Sequence, residues 1–208
     1  MNKQKIFQIR NFILRKRGDF KMINPYTMEN IKENQVCLIY SLEGVIAFSK
    51  YIIKQNLNVI SIREEELHRN DKLIQQYNLI DNMFMDKCFS VSFADMTKDK
   101  DVDPVNGISR EKIESILNWS KEQYEKTQKG FVVHCFAGIS RSSAVAMLIN
   151  KMLKDDLFVP YNVRFHSPNP IIIKHGADIL GFDADEVLYE IKSRSDEYFS
   201  GKGACELF

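Results

Sequence analysis

Cys135 and Arg141 bracket a short run of Phe136, Ala137, Gly138, Ile139 and Ser140. A loop that tight, feeding a helix N-terminus, can turn successive backbone N–H groups toward one centre and form an anion cradle. Gly138 permits backbone angles that a side chain would forbid. Arg141 can grip two oxygens of a phosphate with its planar fork. The same positive potential acts on Cys135. A free thiol titrates near ~8.5, and an electropositive helix N-terminus favours its thiolate form. A thiolate set against phosphorus implies covalent catalysis, with water hydrolysing the thiophosphate in a second step.

The full run from His134 to Ser142, His-Cys-Phe-Ala-Gly-Ile-Ser-Arg-Ser, resembles the HCxxGxxR[ST] signature of the protein tyrosine phosphatase superfamily. Its Ala-Gly-x-Ser-Arg-Ser ending is closest to the dual-specificity-like branch, and the Phe93-Ala94-Asp95-Met96 step resembles that of its compact bacterial members. The resemblance implies that Cys135 is the nucleophile, that Phe136 to Arg141 bind phosphate, and that Arg141 stabilises the transition state. It implies that Ser142 hydrogen-bonds the sulfur and helps it leave. It makes His134 structural, orienting the loop and supporting the thiolate, rather than a general base.

Expelling an alkoxide or phenoxide needs a proton donor at the leaving oxygen. The family draws it from an Asp on a loop upstream of the cysteine, and Asp95, Asp99, Asp101 and Asp103 are the candidates. Asp95 is preferred, because it ends a buried-looking strand in the run Ser92, Phe93, Ala94, Asp95, Met96. Asp103 has a spacing to Cys135 nearer that of small dual-specificity enzymes, but it lies with Asp99 and Asp101 in a charged stretch that reads as solvated. A second, weaker resemblance is the Arg164 to Pro170 step, in which Asn169 would help anchor structure near the phosphate loop. A plain helix N-cap at Asn169 explains that residue almost as well. The resemblance spans roughly residues 36–181.

The elements that must position these groups alternate between strand and helix. Val36 to Tyr40 reads as a strand, 43–55 as a helix, 57–62 as a strand and 63–78 as a helix with Glu64, Glu65 and Glu66 near its start. Phe89 to Phe93 forms a third strand. Ser109 suits an N-cap for a helix with Ile113, Ile116, Leu117 and Tyr124 on its buried stripe, and Gly130 suits its stop. Phe131 to Val133 is wholly apolar, as in a strand buried on both faces, and Ser142 to Leu153 follows as a helix. This pattern predicts an α/β fold, a mostly parallel sheet flanked by helices, with a mostly helical C-terminal part. Ligands in such folds bind at the carboxyl ends of the strands. The domain reading is an N-terminal extension over 1–35, a catalytic domain over 36–181, and a C-terminal helix and tail over 182–208, with Val187, Leu188 and Ile191 on one helix face.

A net charge of +1 gives no global case for nucleic acid or membrane binding, although residues 1–35 hold a local basic excess. No apolar run reaches the roughly 20 residues of a membrane span. No secretory leader can be drawn, so the expected compartment is the cytoplasm. Cys37, Cys88, Cys135 and Cys205 are far apart and read as reduced thiols, with inert burial expected for Cys37 and Cys88 and no metal spacing. No cofactor is implied. Phosphate, sulfate or vanadate is expected in the site, and a phosphorylated protein or peptide is the expected substrate. The loop interior lacks the Lys residues that phosphoinositide phosphatases of this superfamily usually place there. This favours phosphotyrosine, or phosphoserine and phosphothreonine, over a polyphosphorylated lipid. The rival readings are a non-catalytic phosphate-binding module and a sulfurtransferase.

Overall fold

The structure, a computed structural model, describes residues 35–64, 71–95 and 107–200. The basic head, Glu65, Glu66, the acids Asp99, Asp101 and Asp103, and Cys205 lie outside the described residues.

Four strands are described: β1 (Cys37–Ser41), β2 (Asn58–Arg63), β3 (Cys88–Ser92) and β4 (Phe131–Cys135). They form one sheet in the order β1-β4-β2-β3, and every pairing is parallel. Seven α-helices accompany them: α1 (Leu42–Ala47), α2 (Ser49–Gln55), α3 (Asp71–Phe84), α4 (Arg110–Thr127), α5 (Arg141–Lys154), α6 (Pro170–Leu180) and α7 (Ala184–Phe199). The fold is therefore α/β, with a parallel sheet between helical layers and a helical C-terminal part.

Strand alternation divides the core in two. On one face, Ile60, Ile62, Phe131 and Val133 pack with Ile113, Ile116 and Leu117 of α4, with Ala144 to Ile149 of α5, and with Ile171 to Ile173 of α6. On the other, Val59 and Val132 pack with Val45, Ile52, Tyr77, Ile80 and Phe84. Every residue of β4 is buried, so the central strand carries Cys135 out of the most protected part of the sheet. The predicted Ser109 cap is present, with its hydroxyl accepting from Lys112 N at 3.3 Å. Val187, Leu188 and Ile191 of α7 pack against the first cluster.

Three boundaries differ from the sequence reading. The helix expected over 43–55 is interrupted at Phe48 (φ −99°, ψ 11°), where the Phe48 ring stacks on Tyr40 with centroids 5.5 Å apart. The helix expected from 63 does not start there. Arg63 ends β2, and its carbonyl accepts from Phe93 N at 3.2 Å, which carries the sheet to the first residue of the charged run. Helix α4 stops at Gln128 in the left-handed region (φ 52°), not at Gly130. Gly130 answers to a close approach instead, since a Cβ there would lie 2.7 Å from the carbonyl oxygen of Val36.

Candidate active site

The segment after β4 turns at once into a tight loop, and the structure holds its outer side at several points. The carbonyl of Phe136 accepts from Leu42 N at 3.2 Å. The carbonyls of Ile139 and Ser140 accept from Ser143 Oγ at 2.6 and 2.9 Å. The same two carbonyls accept from Ser167 N at 3.0 Å and Asn169 N at 3.3 Å. The carbonyls of Phe136, Ile139 and Ser140 are thus taken up by the fold. Among the described residues, the backbone N–H groups from Phe136 to Ser140 find no such partner. Gly138 adopts φ 72°, and a Cβ there would meet the backbone of Tyr40 and Ser41 at 2.7 Å. No other residue fits without moving β1.

Helix α5 begins at Arg141, so the loop delivers its N–H groups and the helix N-terminus to one place. The Cys135 side chain is 1% exposed, and its Sγ lies 3.2 Å from the buried Oγ of Ser142. A serine hydroxyl so placed can donate to the sulfur in its thiolate form.

Arg141 is 2% exposed, and its donors can be counted. Nη1 donates to the carbonyls of Phe93 at 2.9 Å and Arg63 at 3.3 Å. Nη2 donates to Oε1 of Glu64. A guanidinium has five N–H donors. Three are spent on the protein, which leaves Nε–H and one N–H of Nη2. Nε is buried without a hydrogen-bond partner, and Asp95 Oδ2 faces it at 3.7 Å. An unmet buried donor is costly, and an edge with two parallel N–H groups matches two phosphate oxygens.

Asp95 follows β3 on the same sheet edge, and its side chain is 37% exposed. Its Oδ1 accepts from Ser140 Oγ at 2.9 Å and from Asn169 Nδ2 at 3.0 Å. Asn169 is also the N-cap of α6, with its Oδ1 accepting from Ile171 N at 3.0 Å and Ile172 N at 3.3 Å. The N-cap expected at Asn169 is present, and the same amide reaches Asp95 with its other end. Asp99, Asp101 and Asp103 fall outside the described residues.

His134 is fully buried, and its ring is stacked with Tyr77 at 6.2 Å between centroids. Burial is the main reason its pKa is pushed down to about 3, and the nearby Arg63 charge adds to the fall. The Cys135 backbone opposes this to a lesser degree, and neither ring nitrogen meets a partner at hydrogen-bond geometry. A neutral, enclosed imidazole fits a structural role. Cys37 is buried as expected and burial raises its thiol; Cys88 is only half-buried, and desolvation still pushes its thiol up to about 11, so both stay protonated. Among the described residues no group of three His, Cys, Asp or Glu side chains could hold a metal ion.

Glu64 is the site residue that sequence reasoning assigned elsewhere. Its pairing with Arg141 spans a separation that no local pattern reports. The available signal was its position directly after β2, on the edge where β3 and β4 also end.

No protein-family model matches the chain. No curated protein matches it. Solved structures do. A PTP-2 phosphatase of Cydia pomonella is 16% identical, with 76% of this chain and 83% of that chain covered at a TM-score of 0.43. Tk-PTP, solved in its active form, is 14% identical, with 73% and 85% covered at 0.37. PTPMT1 is 13% identical, with 77% and 92% covered at 0.41. Among the described residues, no helix is long and apolar enough to cross a membrane.

Proposed function

We propose that the chain is a phosphoprotein phosphatase that works through a cysteinyl-phosphate intermediate. The observation that carries this reading is the Arg141 fork. Its Nη1 and one donor of Nη2 are met by the protein, its buried Nε–H is left for an anion, and Asp95 Oδ2 lies 3.7 Å from that Nε.

The phosphate enters the loop from Phe136 to Arg141, where backbone N–H groups and the Arg141 edge take its oxygens. The Cys135 thiolate attacks phosphorus, and the bond to the leaving oxygen breaks while Asp95 gives that oxygen a proton. Water then attacks the thiophosphate and transfers its proton to the Asp95 carboxylate. The hydroxyl of Ser142 donates to the departing sulfur. Throughout, the fixed N–H groups stabilise charge that grows on the equatorial oxygens.

The substrate class follows from what the loop lacks. Phe136, Ala137, Gly138, Ile139 and Ser140 offer no cation for a second phosphate, so a single phosphate on a protein side chain is the better fit. Phosphotyrosine is the first candidate, and phosphoserine and phosphothreonine are the second. The experiment is hydrolysis of an aryl phosphate and of a phosphopeptide panel by wild type, Cys135→Ser and Arg141→Ala. Loss of turnover in both variants is expected. Near-normal turnover by Cys135→Ser overturns the reading.

A further inference from the structure

Asp95 is held by its oxygens unequally. Oδ1 accepts two hydrogen bonds, from Ser140 Oγ at 2.9 Å and from Asn169 Nδ2 at 3.0 Å. Oδ2 accepts none from the described residues and faces Nε of Arg141 at 3.7 Å. When a carboxyl group carries one proton, that proton sits on one oxygen while the other remains an acceptor. Two donors aimed at Oδ1 favour keeping that oxygen as the acceptor. The proton is then left to Oδ2, the oxygen turned toward the edge of Arg141 that would hold phosphate.

We propose that Asn169 and Ser140 are positioning residues that select the proton-bearing oxygen of Asp95. This rests on the phosphatase reading and deepens it, by stating which atom delivers the proton and what sets that choice. In the first step the Oδ2–H proton moves to the leaving oxygen as the phosphorus–oxygen bond breaks, and the sulfur–phosphorus bond forms from the Cys135 electron pair. Asp95 is left as a carboxylate. In the second step the attacking water returns a proton to it, so the acid is regenerated.

The geometry gives the pair a firm footing. Asn169 is fully buried, and its backbone N–H bonds the carbonyl of Ser140 at 3.3 Å, so the two donors are tied to each other as well as to the acid. The Asn169 Oδ1 is fixed by the first turn of α6, which dictates where its Nδ2 points. The acid is thereby referenced to a helix end and to the phosphate loop together.

The test separates capping from acid positioning. Asn169→Ser keeps an oxygen that caps α6 and removes the donor to Asp95. Rates are measured for wild type, Asn169→Ser, Ser140→Ala, the double variant and Asp95→Asn on two aryl phosphates. One substrate leaves as an acidic nitrophenol that needs little protonation, and the other as unsubstituted phenol. The ratio of kcat for the activated substrate to kcat for phenyl phosphate should rise about tenfold or more in Asn169→Ser, with the double variant approaching Asp95→Asn, given the usual range of general-acid contributions. Thermal melting checks that Asn169→Ser remains folded. An unchanged ratio in folded Asn169→Ser and in Ser140→Ala overturns the proposal, as does an equal loss on both substrates. In those cases Cys135-dependent turnover by wild type still stands, so the phosphatase reading survives. Wild type that hydrolyses neither substrate overturns both.

Discussion

The ladder joining β1 and β4 carries a cysteine at each end. Cys37 stands opposite Phe131, and Cys135 stands opposite Ser41. Both are buried, and both belong to the same apolar cluster. Around Cys37 the surroundings are closed, with the adjacent Val36 N donating to Asn150 Oδ1 at 2.9 Å, and burial holds the thiol protonated. Cys135 sits where the strand runs out. It meets Ser142 Oγ at 3.2 Å and opens into the loop that enters α5. Burial is common to the two residues, so burial does not make the difference. What differs is the end of the strand: Cys37 opens β1, whereas Cys135 closes β4 and leads into the loop that enters the N-terminus of α5. The lesson is that reactivity is a property of the place.

That contrast can be broken or sharpened by substitution. The largest effect is expected at the proposed nucleophile, where Cys135→Ser should lower kcat on an aryl phosphate by about a thousandfold or more. The matching change at the other end, Cys37→Ser, should leave kcat essentially unchanged. It should instead cost ~1–3 kcal/mol of stability in denaturant melts, because it buries a hydroxyl among apolar groups. Comparable loss of turnover in both would erase the distinction. Next in size, Asp95→Asn should lower kcat on phenyl phosphate by roughly a hundredfold or more, with a much smaller loss on a substrate that leaves as an acidic nitrophenol.

Gly138→Ala tests whether the loop's curvature is set by its contact with β1. The substitution places a Cβ against the backbone of Tyr40 and Ser41 at a positive φ. It should cost ~1–3 kcal/mol in stability and weaken binding of vanadate, read as a higher inhibition constant. The smallest effect concerns His134, which precedes Cys135 on the ladder. Its folded pKa is lowered to about 3, whereas an unfolded histidine titrates near ~6.5. As pH falls, the unfolded chain takes that proton first. The stability tied to neutral His134 is therefore complete above about pH 6.5 and is lost progressively toward about pH 3. His134→Gln should flatten the acid side of a plot of Tm against pH. Some slope should remain from His166, which burial lowers to about 4.

Much of the fold was legible because the strands announce themselves by composition. Phe131, Val132 and Val133 form an unbroken apolar run, and they lie at the buried centre of the sheet. The loop was legible because its chemistry is local: Cys135, Gly138, Arg141 and Ser142 fall within one short stretch, so spacing alone brings them together. Ser109 and Asn169 were readable as caps for the same reason. The misread positions are those decided by distant partners. Arg63 belongs to β2 because Phe93 N bonds its carbonyl, although the charged run that follows looks helical. Glu64 belongs to the site because Arg141 claims it from far along the chain. Gln128 takes the left-handed position that Gly130 was expected to fill, since Gly130 is required by its approach to Val36. The unequal hold on Asp95 Oδ1 and Oδ2 had no trace in the sequence, because it depends on side-chain geometry among three separate elements.

The central claim is that Cys135 forms a covalent bond to phosphorus, and trapping that intermediate tests it most directly. Wild type is mixed with an aryl phosphate, quenched rapidly in acid and digested, and the peptide containing Cys135 is weighed and fragmented. The account predicts one added phosphoryl group located on Cys135, present during turnover and absent from Cys135→Ser. Turnover without that adduct, or with the phosphoryl group on another residue, would contradict it.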